Sequence, residues 1–317
     1  DALRSLVERV REAAASGTPL RIRGGGTKDF YGNASPGAEL ATRSLHGVVA
    51  YERGELVVTA RAGTPLRELE ALLDAHGQML AFEPPHFGAG ATVGGCIAAG
   101  LAGPRRAASG PTHGAVRDAV LGARLLDGRA QLLQFGGTVM KNVAGYDVAR
   151  LLAGSLGILG VIAEVSLKVL PRPAAETTVR FERPEAEAIA ATNAWAGRPL
   201  PLSATAWHDG VLHVRWSGAA AAVRAAVRAI GGEPLAVAAA AAYWADLREH
   251  RVPSLACRGE DTAVWRVSLP PTAAPLGLEG VQTIEWGGAL RWLVSRTPAR
   301  VVRARAAALG GHATLFR

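Results

Sequence analysis

Six consecutive residues near the start of the chain form a glycine-rich segment, Arg23-Gly24-Gly25-Gly26-Thr27-Lys28. They directly follow a short strand candidate at residues 19–23. Three adjacent glycines let successive backbone N–H groups converge on one point, and no Cβ blocks an approaching anion. The segment therefore suits a diphosphate, with a flexible glycine loop as the alternative interpretation. It is not a P-loop, because the required spacing to Gly-Lys-Ser/Thr is absent.

Two further glycine-rich segments follow, at residues 88–100 and at 135–147, and the second continues through 154–162 into a long strand candidate. The first of them superficially resembles a Rossmann fingerprint. Its glycine spacing is wrong by one residue, and Glu83-Pro84-Pro85-His86 stands where a buried parallel strand should be. We therefore interpret both segments as further backbone cradles for a flat ligand.

In order and spacing, the three segments resemble the vanillyl-alcohol-oxidase (PCMH) type of FAD-binding domain, and companion motifs at 63–66 and 116–122 match it as well. A closer similarity, over nearly the whole chain, is to the family of FAD-binding E subunits of bacterial glycolate oxidase, also called glycolate dehydrogenase. The stretches that carry this similarity are residues 77–88, 100–106, 139–147, 286–292 and 310–314.

The resemblance implies an α+β fold, in which a PCMH-type FAD-binding domain of two α+β subdomains is followed by a ferredoxin-like α+β cap domain. It implies oxidation of glycolate, a small 2-hydroxy acid, to glyoxylate, by hydride transfer to the flavin. It also implies two partners: a second, catalytic FAD-binding subunit, and an iron–sulfur subunit that passes electrons toward a membrane quinone.

The resemblance further implies which residues contact the cofactor. Residues 23–28 would hold the diphosphate, residues 92–95 would line the cofactor from its second side, and residues 160–162 would give backbone contacts near the adenine or the ring. The implied cofactor-binding residues are Arg23, Gly24, Gly25, Gly26, Thr27, Lys28, Pro85, Thr92, Val93, Gly94, Gly95, Gly103, Asn142, Gly160, Val161 and Ile162.

Two departures from the family pattern bear on function. Thr27 stands where covalent members carry a flavin-linked histidine, so we expect non-covalent FAD. The related catalytic subunits carry a histidine cluster in the cap, whereas the comparable place here holds only His312, and one histidine is not a metal site. Two alternatives therefore stay open: a non-catalytic FAD-bearing electron-transfer or assembly subunit, and a stand-alone D-2-hydroxy acid dehydrogenase.

The candidates for polar groups near the flavin are Lys141, Tyr146 and Arg150. Lys141 would stabilise an anionic reduced flavin or a substrate carboxylate. The alternatives are a loop lysine paired with a nearby acid and a tyrosine that only packs its ring. His86 either faces the cofactor or is an ordinary turn histidine. Cys96, among glycines, is best explained by packing.

Composition excludes several other classes. The chain has 317 residues and a net charge of +8, but its arginines are scattered, which argues against nucleic-acid binding. Its two cysteines, Cys96 and Cys257, form neither a disulfide framework nor an iron–sulfur pattern. No signal peptide or membrane span is visible. We expect a cytoplasmic protein, held at the inner face of the cell membrane through its partners.

The secondary-structure pattern predicts two domains, 1–172 and 173–317, divided at Pro171-Arg172-Pro173, which no helix or central strand can accommodate. Thr64 is the expected N-cap of a helix that starts at Pro65. Residues 84–109 are expected to be loop, and 161–169 a half-buried strand. The second domain is expected to be an antiparallel sheet with helices on one face, containing strands at 202–208, 211–216, 263–269, 281–286, 289–294 and 312–316 and helices at 219–230, 236–250 and 298–308.

Overall fold

The computed structural model describes residues 2–107, 114–138, 146–256 and 261–317. The chain divides into two compact units, one of Asp1–Ala102 with Thr112–Arg172 and one of Gly103–Pro111 with Pro173–Arg317. One division falls at Arg172, inside the predicted proline segment. The stretch Gly103–Pro111 differs from the prediction, because it groups with the second unit although in sequence it lies between the two parts of the first.

The first unit contains five helices and nine strands among its described residues. In chain order these are α1 (Ala2–Ser16), β1 (Leu20–Arg23), β2 (Ala38–Ala41), β3 (Val48–Glu52), β4 (Val57–Arg61), α2 (Leu66–Asp74), β5 (Gln78–Met79), α3 (Val93–Ala99), α4 (Val116–Ala119), β6 (Val120–Leu126), β7 (Leu132–Gly136), α5 (Val148–Leu151), β8 (Val161–Lys168) and β9 (Leu170–Pro171).

An antiparallel sheet in the order β3-β4-β8-β6-β7 forms the centre of this unit, and β1 pairs with β2 in parallel. Strand β8 is buried on both faces. Val165 and Leu167 pack in the cluster that contains α2 and α3, whereas Val161 and Ala163 pack against α1 and β2. The prediction of a regularly alternating, half-buried strand was therefore wrong for its first half, because a register shift against β6 between Ile162 and Glu164 turns Val161 and Ala163 toward the α1 cluster; Glu164 and Lys168 stay partly exposed, as the alternation predicted.

The start of α2 also differs from the prediction. The helix begins at Leu66, with Pro65 at its N-cap position and no side-chain cap. Thr64, the expected cap, is fully buried, and its hydroxyl accepts from the Gly47 N–H at 3.0 Å. The hydroxyl is therefore used to hold the chain before β3.

The second unit is built on one antiparallel sheet of eight strands. In chain order its elements are β10 (Ala175–Glu182), α6 (Glu185–Ala196), β11 (Leu202–His208), β12 (Val211–Gly218), α7 (Ala220–Ile230), β13 (Glu233–Pro234), α8 (Val237–Arg248), β14 (Ala263–Ser268), β15 (Val281–Glu285), β16 (Leu290–Ser295), α9 (Ala299–Ala308) and β17 (His312–Leu315), with short 3-10 turns at Pro104–Ala107, Pro253–Leu255 and Trp286–Gly288. The sheet order is β13-β10-β12-β11-β15-β16-β14-β17.

Helices cover both faces of this sheet rather than one. Val179 packs in the cluster that contains α6 and α7. The neighbouring Thr178 accepts a hydrogen bond from Trp244 Nε1 of α8 at 2.9 Å. Because successive strand residues point to opposite faces, α8 lies on the face opposite α6 and α7. The expectation of helices on one face was therefore wrong, and β10 and α6 were not predicted at all.

Candidate functional site

The first two glycine-rich segments lie against each other. A Cβ on Gly25 would overlap the carbonyl oxygen of Gly90, and a Cβ on Gly24 would stand 2.5 Å from Thr92 Oγ1. Gly88 approaches Thr27 in the same way, with its Cβ position 3.3 Å from Thr27 Cγ2. Residues 24–27 and 88–92 therefore form a paired-loop surface, which we call the glycine cradle.

The cradle offers unpaired backbone donors. Within the described part of the chain, the N–H groups of Gly24, Gly25, Gly26 and Thr27 meet no acceptor. These residues are only partly exposed. Half-buried N–H groups without an internal acceptor favour an anionic ligand. The loop thus fits the diphosphate of FAD.

The second side of the cradle begins a helix where the sequence predicted a loop. Thr92 caps α3 by accepting from the Gly95 N–H at 3.2 Å. The N–H groups of Val93 and Gly94 donate to the carbonyls of Thr64 and Ala62, at 2.9 and 2.8 Å. The first donors of α3 are therefore engaged inside the protein. The unpaired donors of the cradle lie before this helix, in residues 24–27 and in Gly88, Ala89 and Gly90, whose N–H groups also meet no acceptor in the described part of the chain.

The two cationic residues that flank the glycines have different surroundings. The guanidinium of Arg23 pairs with Asp29 at 2.7 Å and with Glu39 at 3.2 Å. Hydrogen bonding to Asp29 raises the pKa of Arg23 above its usual value. Lys28 Nζ instead donates to the carbonyl oxygen of His86 at 3.2 Å and lies 5.5 Å from the centre of the Phe87 ring.

Sequence reasoning missed Glu70, which interacts with His86. Glu70 lies on α2, and its Oε2 is 2.8 Å from Nε2 of His86. The pair could not have been predicted from the sequence, because neither the charge of Glu70 nor its position 16 residues before His86 indicates a contact between them. His86 thus links α2 to Lys28, the residue that directly follows the first loop of the glycine cradle.

Residues 154–156, in the continuation of the third glycine-rich segment, lie beside the end of α3. The N–H groups of Gly154 and Leu156 donate to the carbonyls of Ile97 and Ala98, at 3.0 and 2.9 Å. The Leu156 side chain reaches toward Gly32, whose Cβ position is 2.9 Å away. Nearby Ile158 is 84% exposed, so this segment presents apolar surface close to the loop that follows β1.

The remaining predicted contacts of the first unit are largely internal. Pro85 is buried. Gly160 packs on the carbonyl of Leu126, its Cβ position being 2.5 Å from that oxygen. Val161 and Ile162 are buried in β8, with their side chains in the two cores of the unit. Any contact these residues make to a cofactor must use backbone atoms.

The other candidates are dispersed. Gly103 belongs to the second unit, where its carbonyl accepts from Trp286 Nε1 at 3.0 Å. Tyr146 is 97% exposed. Arg150 pairs with Asp147 at 3.1 Å. The predicted residues Lys141 and Asn142 lie outside the described residues.

Among the described residues, no group of three or more histidine, cysteine, aspartate or glutamate residues has a geometry that would hold a metal ion. No helix in these ranges is long and apolar enough to cross a membrane.

The family model described as "FAD binding domain" matches residues 3–148, and these include both sides of the glycine cradle. The cradle and this match define an FAD-binding flavoprotein. Over 316 residues the chain is 46% identical to glycolate oxidase subunit GlcE of Escherichia coli (strain K12), covering 100% of this chain and 87% of that protein. The chain belongs to the family of that FAD-binding subunit.

More distant relatives agree on the fold. Glycolate oxidase subunit GlcD of Bacillus subtilis (strain 168) is 27% identical over 190 residues, which cover 58% of this chain and 39% of that protein. Among solved structures, alkyldihydroxyacetonephosphate synthase superposes with a TM-score of 0.69 at 15% identity, covering 98% of this chain and 69% of that chain. The predicted fold class and the FAD cofactor are confirmed.

Proposed function

We propose that this chain is the FAD-binding subunit of an enzyme complex that oxidises glycolate, or a similar small 2-hydroxy acid, to the corresponding 2-oxo acid. The observation that carries the proposal is the glycine cradle, with half-buried donors at Gly24 to Thr27 and Lys28 beside them. The 46% identity to a glycolate oxidase subunit supports the choice of substrate.

In this proposal the loop residues bind and orient the cofactor. The N–H groups of Gly24 to Thr27 and the ammonium of Lys28 hold the diphosphate. The segment around Leu156 and Ile158 offers apolar contact to the rest of the cofactor. Bound FAD supplies a two-electron acceptor. The cofactor is held without a covalent bond, since threonine at position 27 offers no imidazole for a flavin linkage.

The proposed complex contains a second, catalytic FAD-binding subunit and an iron–sulfur subunit that receives the electrons. The subunit names of the relatives GlcE and GlcD support such an assembly. We place the complex in the cytoplasm, at the inner face of the membrane. Residues 1–172 form the FAD-binding domain of the proposal, apart from Gly103–Pro111, and 173–317 form the cap.

A second candidate is an FAD-bearing subunit that transfers electrons or supports assembly while a partner oxidises the substrate. It is favoured by His312, the single histidine at the expected cap position, which is exposed on the edge strand β17. One experiment separates the two functions. The purified chain, loaded with FAD, is mixed anaerobically with glycolate or D-lactate.

Bleaching of the flavin absorbance supports oxidation on this subunit. An unchanged spectrum with stoichiometric FAD assigns oxidation to the partner. A chain that retains no FAD under any loading condition would contradict both candidates. Adding the partner subunits to an unreactive chain then tests whether turnover needs the complex.

A further inference from the structure

His86 joins helix α2 to the lysine of the glycine cradle. Its imidazole Nε2 lies 2.8 Å from Glu70 Oε2, and its carbonyl oxygen accepts from Lys28 Nζ at 3.2 Å. The two side chains of the pair are only 17% and 28% exposed. A hydrogen bond to a carboxylate in such surroundings is charge-assisted and restricts both partners.

The charges of Lys28 and Glu70 both act on the buried thiol of Cys96. Burial raises the pKa of this thiol to about 12, the charge of Lys28 lowers it, and the charge of Glu70 raises it. Cys96 lies on α3, directly after the segment that packs against residues 24 and 25. Through the His86 carbonyl, the Glu70–His86 pair contacts Lys28, which directly follows the glycines of the cradle.

We propose that Glu70 and His86 are positioning residues for the diphosphate of FAD and act through Lys28. The inference rests on the proposed function in that residues 24–28 must hold the diphosphate. The Glu70 carboxylate fixes the imidazole, and buried Pro84 and Pro85 restrict the backbone immediately before it. The His86 carbonyl is thereby fixed, and it determines where the Lys28 ammonium stands.

The same helix provides a matched control pair. His46 Nε2 lies 2.9 Å from Glu68 Oε2 of α2, and the His46 carbonyl accepts from Arg61 Nη1 at 3.3 Å. Both side chains of this pair are 51% exposed. The chemistry repeats that of Glu70, His86 and Lys28, but the cation belongs to β4 rather than to the glycine cradle.

The test is a double-mutant cycle on FAD affinity in the full chain. FAD is removed, and its dissociation constant is measured by flavin fluorescence for the parent, His86→Ala, Lys28→Met, the double variant and His46→Ala. We expect His86→Ala to weaken FAD binding about tenfold, the effect of one lost charge-assisted contact. In the Lys28→Met background the same change should have little further effect, because the residue through which it acts is gone.

His46→Ala should bind FAD like the parent, and His86→Gln, whose amide can donate to Glu70, should restore most of the affinity. Parent-like binding by His86→Ala, or additive effects of His86→Ala and Lys28→Met, would overturn the positioning role. If His86→Ala does not fold, Glu70→Gln takes its place in the cycle, with the same expectations. A parent that binds no FAD would refute the FAD assignment itself, and this role with it.

Discussion

The backbones of Gly25 and Gly90 approach so closely that no side-chain atom fits between them, and a Cβ on Gly25 would overlap the Gly90 carbonyl oxygen. This contact joins two segments that are 65 residues apart in the sequence. Glycine at position 25 is therefore required first by the packing of the protein on itself, and only then by the approach of a ligand.

Replacing Gly25 should separate the two sides of the glycine cradle. We expect Gly25→Ala, and more strongly Gly25→Val, to purify with little or no FAD and to lose about 1–3 kcal/mol of unfolding free energy from overpacking. The measurements are the ratio of flavin to protein absorbance and denaturant unfolding of the FAD-free protein. Gly54→Ala is the control, since nothing lies within 4 Å of its Cβ position. Full flavin content in Gly25→Val would argue against the cradle as the diphosphate site.

Arg291 is a buried cation that supports the second unit. It is completely buried, donates to the carbonyls of Ala274 and Gly288 at 2.6 and 3.2 Å, and lies 3.9 Å from Glu185. Burial lowers the pKa of Arg291 and raises that of Glu185. Arg291→Met leaves these carbonyls without their donor and the Glu185 carboxylate without its ion-pair partner, so we expect a loss of about 3–5 kcal/mol in unfolding free energy.

Exposed Arg296 provides the comparison for that prediction. Arg296→Met should change the unfolding free energy by less than about 0.5 kcal/mol. Denaturant unfolding followed by tryptophan fluorescence measures both variants. Equal stability of Arg291→Met and Arg296→Met would show that the buried contacts of Arg291 contribute nothing net.

His213 should make the protein acid-sensitive. Burial, with smaller effects from His208 and Arg180, lowers the pKa of His213 to about 4 from 6.5, and its ring stacks on Tyr243 at 4.0 Å between centres. The folded state therefore disfavours the proton, and the stability contribution is complete above pH 6.5 and lost as the pH falls toward 4. We expect a loss of about 2 kcal/mol at pH 5 relative to pH 7.

His213→Phe keeps an aromatic ring against Tyr243 but cannot be protonated, so its unfolding free energy should fall less between these two pH values. Part of the dependence should remain, because burial also lowers the pKa of His250 to about 3. His312→Phe, on the exposed edge strand, serves as the control. An unchanged pH slope in His213→Phe would contradict the assignment.

We expect Trp286 to stabilise the segment that begins at Gly103, which belongs to the second unit although it lies far from the rest of that unit in sequence. Its Nε1 donates to the Gly103 carbonyl at 3.0 Å, and its ring lies 4.4 Å from the guanidinium carbon of Arg106. Trp286→Phe removes the hydrogen bond, worth about 1 kcal/mol, so trypsin should cleave at Arg105 and Arg106 about fivefold faster. Trp292→Phe loses a different bond, to Glu285, and should leave cleavage at these two sites unchanged.

The sequence predicted best those elements whose signals are local. The Asp209-Gly210 turn joins β11 and β12 as expected, with both residues at positive φ, of 50° and 79°. Helix α3 was missed because Val-Gly-Gly-Cys-Ile-Ala-Ala has poor helix propensity. Its position is fixed by tertiary contact, since the Cβ position of Gly94 lies 2.5 Å from Ala62 Cβ.

The site was predicted in part for the same reason. Runs of glycine reveal where a backbone approaches something closely, but not what it approaches, and Gly25 turned out to face Gly90. The Glu70–His86 pair joins a helix to a loop by a side-chain hydrogen bond. Neither the residue types nor their spacing in the sequence predicts such a pair. Strand β10 was missed because the prolines before it were interpreted only as a domain boundary.

The grouping of Gly103–Pro111 with Pro173–Arg317 means that the polypeptide changes unit three times, after Ala102, Pro111 and Arg172. Neither unit is therefore a continuous stretch of chain that a single cut could release. A gene fragment that starts at Pro173 would lack the carbonyl to which Trp286 donates. During synthesis on the ribosome, residues 103–111 emerge before the eight-stranded sheet of the second unit. They can therefore pack against that sheet only after the rest of the first unit has been synthesised.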